Sequence, residues 1–352
     1  MNRHAKIYVA GHRGLVGSAI VRQLKAKGYT NLVTRTHSEL DLLNQQAVAD
    51  FFAAEKPEYV FLAAAKVGGI MANNTYRGQF IYENMTIQNH VMHQSMLHGV
   101  KRLVFLGSSC IYPKMAQQPI KEEYLMTGPL EPTNSPYAVA KIAGIEMCHA
   151  YNAQYGTSFV PVMPTNLYGP GDNFDLETSH VLPALMRKFY LGKLAMDGDW
   201  DAIDTDEKKW GKIPEDIKKS IGCYERDASN CKVVLWGTGS PYREFLYVDD
   251  MADACIFVMF ESDTTELLNI GTGEDLIIKK VSEILAAVVG YDGGIIWDVT
   301  KPDGTLKKVL DVSKISLLGW RPQVDLQDGI SRAMEYYTKK SCGSGAGCSS
   351  KG

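Results

Sequence analysis

The sequence predicts an α/β fold, a doubly wound parallel sheet with helices on both faces, joined to a smaller α/β domain. Three observations carry this. Through the first half of the 352 residues, short apolar, β-branched runs alternate with segments of helical periodicity. A glycine triplet stands between the first run and the first helical segment, where such sheets hold anionic ligands. The regular alternation ends near residue 171. Residues 172–336 therefore read as a second domain, with 244–262 expected to pack back on the first.

Residues 6–10 form the first strand. Residues 15–27 form the first helix, with Leu15, Val16, Ala19, Ile20 and Leu24 at helical spacing. Residues 31–34 give the second strand, 45–55 a helix and 59–63 the third strand. Residues 82–98 form a helix with apolar side chains at 85, 87, 91 and 92. Residues 103–107, 135–155 and 159–163 give the fourth strand, a helix and the fifth strand. In the second half, 233–236 reads as strand, and 251–260, 278–289 and 327–339 as helices. Residues 197–232 are a polar, charged block, expected to be an exposed insert with a helix or two. The Gly/Ser-rich tail, residues 340–352, is expected to be disordered.

Composition excludes several classes. Lysine and arginine number 37 against 40 acidic residues, a net charge of −3, so a generic nucleic-acid binder is not indicated. The seven cysteines are scattered, without a C-x-x-C pair, and read as reduced thiols of a cytoplasmic protein. His90, His93 and His98 share a helical segment without an H-E-x-x-H pattern, so no metal site is expected. The opening MNRHAKIYVAG lacks the apolar segment of a signal peptide, and no run is long enough to span a membrane.

Gly11-His-Arg-Gly14-Leu15-Val16-Gly17 has the spacing of a dinucleotide turn. Gly11 permits the tight turn, Gly14 lets backbone N–H groups approach a pyrophosphate, and Gly17 lets helix pack closely on strand. The anion then lies at a helix N-terminus. At the end of the second strand, Val33-Thr34-Arg35-Thr36-His37 offers no acid for a ribose 2′-hydroxyl. Arg35 with Arg13 can clamp a 2′-phosphate, which favours NADP(H). Asp41 reads either as an adenine contact or as a loop or capping acid.

Tyr137-Ala-Val-Ala-Lys141 is Y-x-x-x-K, with both side chains on one helix face. The ammonium is expected to favour the phenolate, making a proton donor and acceptor near neutral pH. Lys141 can also bind the nicotinamide ribose. Ser108 or Ser109, at the end of the fourth strand, can hydrogen-bond a substrate oxygen. Glycine turn, serine and Y-x-x-x-K in this order form a specific set.

With these residues the chain resembles the extended short-chain dehydrogenase/reductase family. Through AGHRGLVGSAI, LAAAKVGGIMANN, FLGSSCIYPK, EPTNSPYAVAKIAGI, MPTNLYGPGDNF and REFLYVDDMA it is similar to that family's GDP-L-fucose synthase branch, over about residues 5–196 and 233–336. The resemblance implies a Rossmann-type fold and a cytoplasmic homodimer formed through helices at 79–98 and 135–155. It implies NADPH-dependent 3,5-epimerisation and 4-reduction of a GDP-4-keto-6-deoxymannose. Cys110 and His180 would be the acid/base pair, with Ser108 and Tyr137 holding the C4 oxygen. Pro164, Asn166, Leu167 and His180 would lie near the nicotinamide. Arg187, Lys188, Arg243 and Lys301 are candidate cations for the diphosphate. Trp236 reads as a nucleoside contact or a partly buried core residue, Asp303 as a sugar contact or a turn residue, and Asn84 as a site or structural residue. Residues 197–232 interrupt the resemblance.

Ser109-Cys110 stands where GDP-sugar 4,6-dehydratases carry an acidic pair, and the acid wanted by NAD-retaining 4-epimerases is missing. Two alternatives stay open. One is the same chemistry on a related GDP-4-keto-sugar such as a heptose derivative. The other is a non-enzymatic NADP-binding protein, which the retained Tyr137 and Lys141 argue against.

Overall fold

The computed structural model describes residues 2–301 and 303–341. In chain order the first elements are β1 (Ile7–Ala10), α1 (Leu15–Ala26), β2 (Leu32–Val33), α2 (Gln45–Glu55) and β3 (Tyr59–Leu62). They are followed by α3 (Ile70–Thr75), α4 (Arg77–Leu97), β4 (Arg102–Leu106), α5 (Ser135–Tyr155), β5 (Phe159–Pro164) and β6 (Asn166–Tyr168). The chain continues through α6 (Val181–Met196), α7 (Trp200–Trp210), α8 (Glu215–Ser220), β7 (Lys232–Trp236), β8 (Tyr242–Arg243), β9 (Phe245–Tyr247), α9 (Val248–Phe260) and β10 (Leu268–Ile270). It closes with β11 (Leu276–Ile277), α10 (Ile278–Val289), β12 (Gly294–Asp298), α11 (Ser313–Leu317) and α12 (Leu326–Ser341).

Two compact units result. Unit 1 takes the chain up to Leu167, Glu244–Asp275 and Lys308–Gln323; unit 2 takes Tyr168–Arg243, Leu276–Lys307 and the chain from Val324. Unit 1 holds a six-stranded sheet in the order β10-β5-β4-β3-β1-β2, parallel at every junction. The alternation of side chains along a strand explains its two cores. Tyr8, Leu62, Phe105 and Met163 pack on one face, with α2, α4 and α5. Ile7, Val9, Phe61, Val104 and Val162 pack on the other, with α1 and α9. The outer face of α4 and α5 leaves Tyr82, Leu97, Val139 and Tyr155 exposed.

In unit 2, β7 pairs in parallel with β12, and α6 packs on both α10 and α7. The 197–232 block differs from the exposed excursion expected. Ile203, Ile213, Ile217 and Ile221 are buried. Ile203 lies in α7 beside the buried Asp206, and Ile213, Ile217 and Ile221, four residues apart, turn one side of α8 and its flanks inward. No helix among the described residues is long and apolar enough to cross a membrane. The last helix runs to Ser341, so residues 340 and 341 are helical, and the rest of the tail lies outside the described residues.

Candidate active site

The glycine turn follows the conformational demands of its residues. Gly11 has φ +84°, and a β-carbon there would sit 2.7 Å from the Ala64 nitrogen. A β-carbon on Gly17 would fall 2.2 Å from the Gly11 carbonyl oxygen, so the helix packs on the turn only as glycine allows. Gly14 caps α1 without any side-chain bond and is exposed, with Arg13 beside it. The first N–H groups of α1 thus lack a side-chain acceptor, which fits the phosphates of a dinucleotide. Arg35 lies over the Phe51 ring, bonds Glu55 at 2.5 Å and reaches the Thr34 carbonyl at 2.9 Å. Asp41 accepts from Leu43 N at 2.9 Å, which favours the loop reading; the α2 cap is Asn44. Asn166 Nδ2 donates to the Glu244 carbonyl at 2.8 Å, and Pro164 and Leu167 flank it where β5 ends.

Ser108, Cys110, Tyr137 and Lys141 converge. The fourth strand ends at Leu106 and turns through a short 3₁₀ segment, Ser109–Ile111, capped by Ser108. Ser108 Oγ donates to Cys110 Sγ at 3.1 Å. Lys141 Nζ donates to the Leu106 carbonyl at 2.8 Å, 4.7 Å from the Phe105 ring centroid and 6.0 Å from the Tyr137 ring centroid. Burial pushes the Lys141 ammonium down to about 8, partly offset by Cys110. Burial and then Cys110 push the Tyr137 hydroxyl up, against a hydrogen bond with Ser108. The expected lowering of the tyrosine is absent: burial dominates, only the Ser108 hydrogen bond acts against it, and the Lys141 ammonium is turned to the Leu106 carbonyl. Cys110 is partly accessible. Asn84 is structural: it accepts from Lys66 N at 2.9 Å and donates to Lys66 O at 3.0 Å and Phe80 O at 2.7 Å.

Unit 2 carries a second group. Trp236 is 61% exposed, which removes the reading as a core residue. Lys188 and Lys301 place their ammoniums 5.7 and 5.4 Å from its ring centroid. Lys188 also donates to Val234 O at 3.0 Å, and burial lowers its pKa. Arg243 donates to Thr305 O at 2.5 Å. Asp303 is exposed and accepts from Thr238 N at 2.9 Å and Thr238 Oγ1 at 2.7 Å, which joins its loop to the loop after β7. His180 is exposed at the N-cap of α6.

Arg187 corrects the expectation of a diphosphate ligand. It is fully buried. Its Nε donates to Asp206 Oδ1 at 2.8 Å, Nη1 to the carbonyls of Phe174 (3.2 Å) and Trp210 (3.0 Å), and Nη2 to that of Gly211 (2.6 Å). A guanidinium so surrounded has no face left for a phosphate.

The pattern of the NAD dependent epimerase/dehydratase family matches residues 7–271. The chain belongs to that family. It is 54% identical over 337 residues to a putative GDP-L-fucose synthase 2 of Arabidopsis thaliana, covering 96% of this chain and 93% of that one. It is 47% identical to a GDP-L-fucose synthase of Escherichia coli K12, over 94% and 96% of the two chains. A crystal structure of a GDP-D-glycero-L-gluco-heptose synthase from Campylobacter jejuni, in the presence of NADPH, superposes with TM-score 0.85 at 43% identity. It covers 96% of this chain and 99% of that one.

Sequence reading of this family member missed Glu244. It is fully buried, and accepts from Gly273 N at 2.8 Å and Leu310 N at 2.9 Å, while its own carbonyl takes the Asn166 amide. It ties the loop after β5 to the loop after β10. The signal was an acid inside the apolar run Arg243-Glu-Phe-Leu-Tyr, which demands a buried partner.

Proposed function

We propose that this chain catalyses NADPH-dependent 3,5-epimerisation and 4-reduction of GDP-4-keto-6-deoxymannose to GDP-L-fucose. The observation that carries this is the convergence of Ser108, Cys110, Tyr137 and Lys141 at the end of β4. The GDP-L-fucose synthase relatives support it. The NADPH in the heptose synthase structure and the Arg13–Arg35 pair support NADP(H).

The family's ketone chemistry assigns the steps. A proton leaves the carbon next to the C4 ketone, and its electrons form an enolate. Ser108 and the Tyr137 hydroxyl hold the enolate oxygen, which stabilises charge where it develops. Cys110 and His180 form the acid/base pair, one taking the proton and the other returning one to the opposite face. This happens at C3 and at C5. Bound NADPH supplies the hydride for C4. Tyr137 gives its proton to the C4 oxygen, and Lys141 keeps that tyrosine's surroundings positive and binds the nicotinamide ribose. Gly11, Gly14, Leu15, Val16 and Gly17 hold the pyrophosphate. Lys188, Arg243 and Lys301 balance the GDP diphosphate, and Trp236 supplies a stacking face for guanine. The exposed apolar face of α4 and α5 supports a homodimer formed there, and the scattered free thiols support a cytoplasmic setting.

The heptose synthase likeness favours a second reading, the same chemistry on a GDP-4-keto-heptose. One experiment tests both. The protein is given each keto-sugar with NADPH in D₂O, absorbance is followed at 340 nm, and the product is solved by NMR. Deuterium at C3 and C5 of GDP-L-fucose supports the first reading. Turnover of the heptose alone replaces it with the second. NADPH oxidation without deuterium leaves a 4-reductase and removes Cys110 and His180 from their roles.

A further inference from the structure

The polar 197–232 segment grips the loop that leads into His180. That loop, residues 172–180, organises itself around Asp175. Asp175 Oδ1 accepts from Glu177 N (3.2 Å), Thr178 N (2.9 Å) and Thr178 Oγ1 (2.8 Å), and its carbonyl takes Ser179 N at 2.9 Å. Asn173 bonds Thr178 Oγ1 across it at 3.0 Å. The network ends one residue before His180, the N-cap of α6.

Three contacts bind this loop to the C-terminal end of α7. The Arg187 guanidinium holds Phe174 O of the loop together with Trp210 O and Gly211 O of the segment. Asp206 and Tyr337 fix that guanidinium in turn: Asp206 pairs with Arg187 and accepts from the Tyr337 hydroxyl, with all three residues fully buried. The Trp210 ring meets the Phe174 ring edge-on at 5.0 Å and stacks on Tyr337 at 5.2 Å. Gly211, at φ +98°, approaches so closely that a β-carbon would stand 2.5 Å from Asp175 Oδ2.

We propose that the segment is a brace for the acid/base loop, with Asp206, Trp210 and Gly211, acting through Arg187 and Asp175, as positioning residues for His180. The proposal rests on the reading of His180 as an epimerisation acid/base. A general acid displaced by about 1 Å loses up to a hundredfold in rate without losing its chemistry. The brace therefore governs proton transfer and leaves hydride transfer alone. A polar segment that looks like a surface excursion becomes part of the catalytic framework.

Two readouts separate the steps in the full-length protein. Deuterium uptake at C3 and C5 of the keto-sugar, with NADP⁺ in place of NADPH, reads proton transfer. Oxidation of GDP-L-fucose by NADP⁺ reads hydride transfer. Gly211→Ala and Asp175→Ala are expected to lower kcat for uptake roughly tenfold or more, with KM and hydride transfer within about twofold. Asp175→Asn keeps the acceptor oxygen and restores uptake. Unchanged uptake in Gly211→Ala, or a parallel fall of both activities in both variants, overturns the brace. Should Gly211→Ala not fold, Trp210→Leu, which removes the ring on Phe174 and keeps the carbonyl held by Arg187, gives the same decision. Failure of the underlying reading shows separately: wild-type protein would then oxidise GDP-L-fucose yet take up no deuterium, and the brace falls with it.

Discussion

Each unit buries a cation, and the two are treated differently. In unit 1, Lys141 is 3% exposed, donates to the Leu106 carbonyl and has no carboxylate partner among the described residues. In unit 2, Arg187 is fully buried and faces Asp206, Tyr337 and three carbonyls. Burial without a counter-ion disfavours charge and brings a lysine toward neutral pH. Burial with a planar fork of partners fixes an arginine as a joint. A buried charge thus marks chemistry where it is left unbalanced, and architecture where it is matched.

The strongest way to break this comparison is Tyr137→Phe, beside the unbalanced lysine. It should lower hydride transfer about 10²- to 10⁴-fold with NADPH affinity unchanged, read at 340 nm and by fluorescence titration. Equal loss of binding would make the cluster structural. The matched cation predicts the opposite phenotype. Asp206→Ala leaves Arg187 buried and alone and should cost about 3–5 kcal/mol of stability in denaturant unfolding. A stable variant would refute the joint.

Lys141 sharpens the contrast through pH. Its folded pKa, about 8, lies below the ordinary 10.5, so between those values the unfolded chain binds more protons. Stability from this group therefore rises with pH across that window and is lowest below pH 8, by roughly 3 kcal/mol. Unfolding of wild type and Lys141→Met at pH 8 and 10 isolates the rise, which the methionine variant should lack. The smallest effect belongs to the exposed Trp236. Trp236→Ala should raise KM for the GDP-sugar about tenfold, in keeping with ~1–3 kcal/mol for a base on an aromatic face, and leave kcat close to wild type. An unchanged KM would remove the tryptophan from the nucleotide.

The two regions also differ in how far sequence alone reveals them. In unit 1 the alternating apolar runs and the glycine spacing are local signals, and β1, α1, α2 and α5 stand where periodicity puts them. Ser108, Tyr137 and Lys141 are likewise read from strand end and helix face. In unit 2 the decisive contacts are distant. Arg187 reads as a ligand cation because its counter-ion lies 19 residues away on α7, in a block that composition marks as surface. Helix α6 carries no early polar stripe, since its buried residues surround it and Arg187 sits among them. Strands β10 and β12 have three and five residues and form only through their partners β5 and β7. Asp41, Asn84 and Asp303 are polar residues near motif positions; Asp41 bonds within its own loop, whereas Asn84 bonds Lys66 and Asp303 bonds Thr238, 18 and 65 residues away.

The interleaving of the chain bears on how the protein is made. β5 is synthesised about a hundred residues before β10, the strand that covers its edge, while Lys308–Gln323 arrives later still. Throughout that interval the nascent chain carries an apolar strand with unpaired N–H and C=O groups, the template on which other chains pair. Neither unit is a contiguous gene segment, so a ribosome cannot finish one before beginning the other. Nascent chains arrested after residue 167 should be cleaved by protease at β5, and chains arrested with residue 323 clear of the exit tunnel should resist. Early protection would show that the five-stranded sheet stands without its sixth member.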